Sequence, residues 1–194
     1  VITIAKNKQG DQQKYLHEQD VENLIKYAIR RSTLVLYREV YPFVDAAESV
    51  ANQILFIQQR RHKPLGNRLI HLIVSFDTSG YEDQIGEADI WMMMNDFIDN
   101  YFQGCQRLIC MHTNTQNHLH IHYIINPVRL ADYNLVRFHL IGLMKSMAGY
   151  LSTYFGIAVQ GVSYYDERGR MRKGMESGKL LYQNKYCKEL GLQT

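Results

Sequence analysis

The chain has 194 residues, 46% of them hydrophobic, and a formal net charge of +3, enough apolar surface for one buried core and the length of a single domain over 1–194. No window approaches the about 18 apolar residues of a membrane span, and the opening VITIAKNKQGDQQK lacks the apolar centre of a signal peptide, so a cytoplasmic protein is expected. The three cysteines, Cys105, Cys110 and Cys187, lack metal-type spacing and are odd in number, which argues against a disulfide framework and for reduced, buried thiols.

In chain order, ITIAK reads as a short edge strand before the polar loop NKQGDQQK. Asp20 is placed as the N-cap of a helix whose Leu24, Ile25, Ala28 and Ile29 form one apolar stripe, with Tyr27 in its last turns. TLVLYREVY is rich in β-branched and aromatic residues and reads as strand or loop. Asp45 to Gln59, with Ala46, Val50, Ile54, Leu55 and Ile57 on one side, reads as helix. After the turn KPLGN, RLIHLIVSFD is a buried strand, in which His71 reads as a satisfied interior residue. Glu82 to Phe102 is the longest helical stretch, and its Met92-Met93-Met94 run reads as core filler.

Two apolar runs follow, RLICMH and HLHIHYIINPV, joined by the polar TNTQN, which suggests adjacent antiparallel strands. A helix from about Leu135 to Phe155 ends at Gly156, a residue suited to the left-handed stop. IAVQGVSYYD supplies one or two strands, and ERGRMRKGMESGK reads as a mobile or ligand-ordered tail. This order of elements fits an α+β fold, a largely antiparallel sheet with helices packed on it.

The segment HTNTQNHLHIHYIIN holds His112, His118, His120 and His122, half of the eight histidines. Strand alternation turns His118, His120 and His122 to one face and Leu119, Ile121 and Tyr123 to the other. His118 and His122 are about 13 Å apart along an ideal strand, too far to share an ion through bonds of about 2.0–2.1 Å. His120 and His122 can instead converge with His112 from a paired neighbouring strand. His118 is then left over to contact DNA, solvent or a group behind the ligands, with direct ligation as the alternative. Three neutral imidazoles leave coordination positions open, the arrangement of a catalytic centre acting as a Lewis acid on a carbonyl or phosphoryl oxygen. Such a set takes Zn²⁺ or Ni²⁺ readily, while Mn²⁺ or Mg²⁺ can support the chemistry.

The H-x-N-T…H-L-H-I-H…I-N-P-V pattern resembles the third motif of relaxases of plasmid and conjugative-element mobilisation, particularly the MobP class, within the histidine-hydrophobe-histidine endonuclease superfamily. LIKYAIR resembles the early helix carrying that class's catalytic tyrosine, HLIVSFD its second motif, EADIWMMMNDFI the helix after it, and FGIAV with VSYYDERG its C-terminal part. The sequence departs from the pattern at Asn114, where the family usually has Asp, and at AIRRS after Tyr27, where N-P-E-K-T is usual.

The resemblance implies a central, mainly antiparallel five-stranded sheet flanked by helices. It also implies a bacterial mobile-element enzyme in which Tyr27 attacks one phosphodiester of single-stranded or hairpin DNA at an origin of transfer. The product is a 5′-phosphotyrosine and a free 3′-hydroxyl, with the ion on His112, His120 and His122 binding the scissile phosphate. Accessory proteins of the relaxosome and a coupling protein are the implied partners. Tyr37, Tyr41, Tyr15, Tyr164 and Tyr165 are the other candidate nucleophiles among the fourteen tyrosines.

Glu82 and Glu87 read either as acidic groups behind a histidine or as charges favoured at a helix N-terminus, while His118 and Asn114 are uncharged groups that can stand behind a ligand. The mild net charge does not by itself indicate a polyanionic partner. Beside a catalytic site, however, the clusters Arg30-Arg31, Arg60-Arg61-Lys63 and Arg168-Arg170-Arg172-Lys173 become candidate DNA contacts. Three alternatives remain open: a rolling-circle replication initiator or single-strand transposase, a hydrolase using a bound water, and an accessory DNA-binding module whose site has degenerated.

Overall fold

A computed structural model describes residues 2–4, 13–61, 66–77, 86–115, 118–137, 140–155, 162–165 and 171–173. The elements in order are β1 (Ile2–Ile4), α1 (Glu18–Arg30), β2 (Leu34–Arg38), α2 (Ala46–Gln59), β3 (Ile70–Asp77), α3 (Glu87–Tyr101), β4 (Cys105–Thr115), β5 (His118–Arg129), α4 (Leu140–Phe155), β6 (Val162–Tyr165) and β7 (Met171–Lys173). They build one seven-stranded sheet in the order β2-β4-β5-β3-β1-β6-β7. Neighbours are antiparallel except β1 and β6. The expected α+β fold with a mainly antiparallel sheet is present, with seven strands rather than five.

Two of the seven strands are easy to miss in sequence. β2 is the ambiguous TLVLYREVY run, fixed as an edge strand by pairing to β4. β7 falls in the charged tail and is a strand only because its backbone pairs with β6, Arg172 opposite Tyr164. The tail expected to be mobile or ligand-ordered is thus partly sheet.

Strand alternation separates two cores. On one face Leu72, Val74, Ile109, Met111, Leu119, Ile121, Tyr123 and Ile125 pack against α3 and α4. On the other, Leu108, Cys110 and Ile124 pack under α1 and α2 through Leu24, Ile25, Ala28, Val50 and Ile54. β5 is central and bears both, which explains why its sequence alternates without any exposed face. Cys105 and Cys110 are buried free thiols, as expected, with burial pushing Cys110 up to about 12 and Cys105 to about 11. Cys187 lies outside the described residues.

Several boundaries differ from expectation for local reasons. The N-cap of α1 is His17, and Asp20 is its third residue, whose carboxylate accepts from the Leu16 and His17 N–H groups at 3.0 and 2.9 Å. An acid at that position reaches back over the first turn, so the helix begins earlier than a cap reading of Asp20 implies. α2, expected over Asp45 to Gln59, runs Ala46–Gln59 with Asp45 as its N-cap, the carboxylate accepting from the Glu48 N–H at 2.9 Å. α3 begins at Glu87, with the expected start at Glu82 outside the described residues. α4 begins at Leu140, and Leu135, where the helix was expected to start, instead bridges back to Val128 near the end of β5. Of the methionine run only Met94 is in the core, while Met92 is 64% exposed, since three consecutive helical residues fan around the axis. Gly104, at φ +74°, makes the left-handed turn from α3 into β4. Among the described residues no helix is long and apolar enough to cross a membrane.

Tyr123 is wholly buried, and its hydroxyl has no hydrogen-bond partner among the described residues. An unpaired buried hydroxyl carries a desolvation penalty, so Tyr123→Phe is expected to stabilise the protein by about 1 kcal/mol, a rise of about 2–4 °C in Tm. A fall in Tm on thermal denaturation would show that the hydroxyl is satisfied.

Candidate active site

The site is built on the α1 side of the sheet, at the end where β4 leaves and β5 enters. His112 is directly opposite His120 across the β4–β5 pair, and His122 is opposite Cys110 one step along. Alternation therefore puts all three imidazoles on the face covered by α1. The rings of His112 and His122 are 4.3 Å apart between centroids. His112 is fully buried, His122 nearly so, and His120 partly exposed. β3, on the other side of β5, places Ser75 opposite His120 and Ile73 opposite His122.

Each imidazole is held through one ring nitrogen. His112 Nε2 stands 2.9 Å from the Ala28 carbonyl. A carbonyl only accepts, so Nε2 carries the proton and, in the neutral ring, Nδ1 carries the lone pair. That Nδ1 is buried and without a hydrogen-bond partner among the described residues. His120 Nδ1 lies 2.9 Å from Ser75 Oγ, and His122 Nδ1 lies 2.9 Å from His71 Nε2. His71 is interior and satisfied, as its sequence context suggests, but one of its partners is a site histidine. Its Nδ1 is 2.7 Å from the Tyr15 hydroxyl.

Sequence reasoning carried Tyr15 only as a candidate nucleophile and His71 as an interior residue, and missed their link to His122. The available signal was alternation, which puts His71, Ile73 and Ser75 on one face of β3; only the β3–β5 register shows that this is the histidine face.

Tyr27 reaches the same place from above. It projects from the last turn of α1, 43% exposed, with its ring 5.9 Å from that of His112 and 6.2 Å from that of His122, both edge-on. The Arg31 guanidinium sits over the ring, 5.2 Å from its centroid. Helix carbonyls in the last turn lack intrahelical partners. The Ala28 carbonyl, next to Tyr27, takes both the His112 ring and the Ser32 hydroxyl, the latter at 2.6 Å. The Thr33 N–H then donates to the Met111 carbonyl at 2.8 Å. These bonds lock the end of α1 onto β4 beside His112 and so fix where Tyr27 stands.

The other tyrosines are placed differently. Tyr15 is buried, and burial holds its hydroxyl well above the usual phenol range. Tyr37 is in β2 opposite Leu108, with its hydroxyl also raised by burial. Tyr41 is exposed beyond the far end of β2, its backbone pinned by Gln53. Tyr164 and Tyr165 are in β6.

Arg30 and Arg31 are exposed at the end of α1. Arg60 stacks on Phe56, and Arg61 donates to the Tyr133 carbonyl, at the opposite end of β5 from His120. The structure therefore does not bring them to the histidines. Arg172 and Lys173 are in β7. Asn114 is near the end of β4, beside an irregularity in the pairing between Thr113 and Thr115, and His118 begins β5 opposite Asp77. Glu87 starts α3, on the other face of the sheet. Glu82, Lys63, Arg168 and Arg170 lie outside the described residues.

Burial holds both inner rings neutral. His122 is depressed to about 3 by burial and then by the neighbouring His71, His112 and His120, and His71 to about 4 by burial and then by His112. The unfolded chain protonates such residues below about 6.5, so below that pH it binds more protons than the folded protein does. Stability therefore falls as the pH drops from about 6.5 toward 4. Thermal melts are expected to show a Tm level near pH 7 that declines through pH 6 to 5, with a shallower decline in His71→Gln. A Tm independent of pH across that window would contradict neutral buried rings.

Among the described residues no three His, Cys, Asp or Glu side chains are already gathered as an ion would hold them. Comparison with curated proteins and with solved structures returned no match. The family model described as "Relaxase: MobA/VirD2-like, nuclease domain" matches residues 27–147, from Tyr27 through β2, the histidine strands and the first half of α4. Over more than half its length, with the histidine pair and Tyr27 inside the match, the chain belongs to the MobA/VirD2-like relaxase nuclease family of the histidine-hydrophobe-histidine endonuclease superfamily.

Proposed function

We propose that the protein nicks one strand at an origin of transfer by transesterification through Tyr27, and that it holds the cut end covalently for mobilisation of a plasmid or conjugative element. The observation that carries this reading is the placement of an exposed tyrosine ring edge-on to two buried histidines and beneath an arginine. A hydrolase using a bound water has no need of a phenol there. The whole chain serves as one nicking and joining domain, a reading supported by a sheet that draws strands from residues 2–4 through 171–173.

The residues fit a divalent cation. His112 presents a buried ring nitrogen with no hydrogen-bond partner among the described residues, and each of the three imidazoles has a ring nitrogen oriented by a protein group, as ligating histidines commonly do. His112, His120 and His122 would hold Mn²⁺ or Mg²⁺ in function, with Zn²⁺ or Ni²⁺ also suited to imidazole. When bound, the cation supplies positive charge to the nonbridging oxygens of the scissile phosphate.

The chain's own residues do the rest. The Tyr27 oxygen attacks phosphorus, an O–P bond forms to the tyrosine as the bond to the 3′ oxygen breaks, and the phenolic proton is released. The 3′ oxygen takes up a proton and leaves as a hydroxyl. Arg31, fixed over the Tyr27 ring, offsets negative charge as it develops. With Arg30 it grips the adjacent backbone, as unstacked bases would require of a single-strand binder. Because the phosphodiester is exchanged and not hydrolysed, a 3′-hydroxyl can later attack the phosphotyrosine and reseal the strand. Relaxosome accessory proteins and a coupling protein are the partners this activity needs in the bacterial cytoplasm.

The test is strand transfer. Labelled single-stranded oligonucleotides tiling the DNA beside the gene are incubated with the protein and Mn²⁺, and an unlabelled strand ending in the matching 3′-hydroxyl is then added. Chelator-sensitive cleavage followed by joining to the new strand is expected. Cleavage that never rejoins and leaves a free 5′-phosphate would establish a hydrolase instead. Binding without cleavage would establish an accessory module.

A further inference from the structure

The nicking reaction as described makes no use of the buried chain of groups behind His122. The Tyr15 hydroxyl is 2.7 Å from His71 Nδ1, and His71 Nε2 is 2.9 Å from His122 Nδ1. Both Tyr15 and His71 are buried. Tyr15 is fixed at its backbone, its N–H donating to Asn67 Oδ1 and its carbonyl accepting from the Arg68 N–H, each at 2.8 Å.

A neutral imidazole carries one proton, and both nitrogens of His71 are engaged, so the two hydrogen bonds must run in the same direction. In one direction Tyr15 donates to His71 and His71 to His122, which leaves the proton of His122 on Nε2. In the other, His122 Nδ1–H donates to His71 Nε2 and His71 Nδ1–H donates to the Tyr15 oxygen. Only the second makes His122 Nε2 a lone-pair donor. A phenol oxygen at the end of the chain suits it because it accepts as well as donates.

We propose that Tyr15 and His71 are positioning residues that hold His122 in the tautomer protonated at Nδ1, presenting Nε2 to a divalent cation. The role rests on the reading of His112, His120 and His122 as the cation-binding set. It also parallels the other two rings, one anchored by the Ala28 carbonyl and one by the Ser75 hydroxyl. Tyr15 lies outside the residues that match the relaxase family model, so this end of the chain of groups is supplied by sequence ahead of that match.

The experiment measures Mn²⁺ binding by the whole chain without DNA, through the paramagnetic resonance signal of the free ion, and the visible spectrum of the Co²⁺-loaded protein. The set is the unmodified protein, His112→Ala, His71→Leu, His71→Gln and Tyr15→Phe, each with its Tm. His71→Leu is expected to weaken Mn²⁺ binding about 10–100-fold, and Tyr15→Phe to weaken it less, in the same direction. His71→Gln, whose amide oxygen reaches the place of Nε2 and accepts from His122, is expected to recover most of the affinity and the Co²⁺ spectrum.

Unchanged Mn²⁺ affinity in His71→Leu overturns the proposal while leaving the cation set standing. If His71→Leu does not fold, unchanged affinity in Tyr15→Phe overturns it equally, as does a folded His71→Gln that binds no better than His112→Ala. If the unmodified protein binds no Mn²⁺, or His112→Ala binds it as tightly, the cation set itself fails and the positioning role falls with it.

Discussion

Tyr27→Phe is expected to abolish the covalent protein–DNA adduct and to lower single-strand cleavage by more than about a thousandfold, with single-strand affinity close to that of the unmodified protein. The substitution removes one oxygen from a side chain on the exposed side of α1, so its effect on stability should stay within about 0.5 kcal/mol. The ring itself, which makes the edge contacts with His112 and His122 and lies beneath Arg31, is retained. What is lost is the nucleophile alone. Denaturing gels of the reaction with labelled DNA check this directly. A shifted band that persisted in Tyr27→Phe would move the nucleophile to Tyr164 or Tyr165, because Tyr15 and Tyr37 have hydroxyls raised by burial and Tyr41 stands beyond the far end of β2.

His112→Ala is expected to reduce cleavage by about a hundredfold or more, and for two separable reasons. The substitution removes the buried Nδ1 that has no other partner among the described residues, and it removes the Nε2–H that ties the Ala28 carbonyl, and with it the end of α1, to β4. His112→Gln separates the two. Its amide N–H groups reach about as far as Nε2 and can still donate to Ala28, but it offers no ring nitrogen at the position of Nδ1. The Gln variant should therefore melt close to the unmodified protein and still cleave as poorly as the Ala variant. If His112→Gln cleaved at the unmodified rate, the histidine would be an anchor for α1 and not a ligand.

These expectations show how much of the molecule the sequence makes legible. Alternation in HLHIHYIIN puts His120 and His122 on one face without any structure, and the hairpin-like spacing of RLICMH and HLHIHYIINPV brings His112 back beside them; the β4–β5 register has this form. Motifs whose chemistry lies within one hairpin or one helix turn can be read this way, because local geometry decides them. His71 and Tyr15 cannot. They are 56 residues apart, and their relation to His122 depends on β3 lying beside β5 and on the loop before α1 packing over β3, neither of which leaves a local pattern. β7 was hidden for the converse reason, since RMRK has no apolar alternation and becomes a strand only through β6. Asp20 was misplaced because an acid three residues into a helix and an acid at its cap look alike until the backbone N–H groups it accepts from are known.

Peptide mapping of the covalent complex is the most direct test. The protein is incubated with Mn²⁺ and a single-stranded oligonucleotide that it cleaves, digested with nuclease and protease, and examined by mass spectrometry for a peptide carrying a nucleotide. Transesterification by Tyr27 predicts the added mass on the peptide containing LIKYAIR, localised to Tyr27 and absent when the ion is chelated. Cleavage with the nucleotide on another residue, or on none, would contradict it.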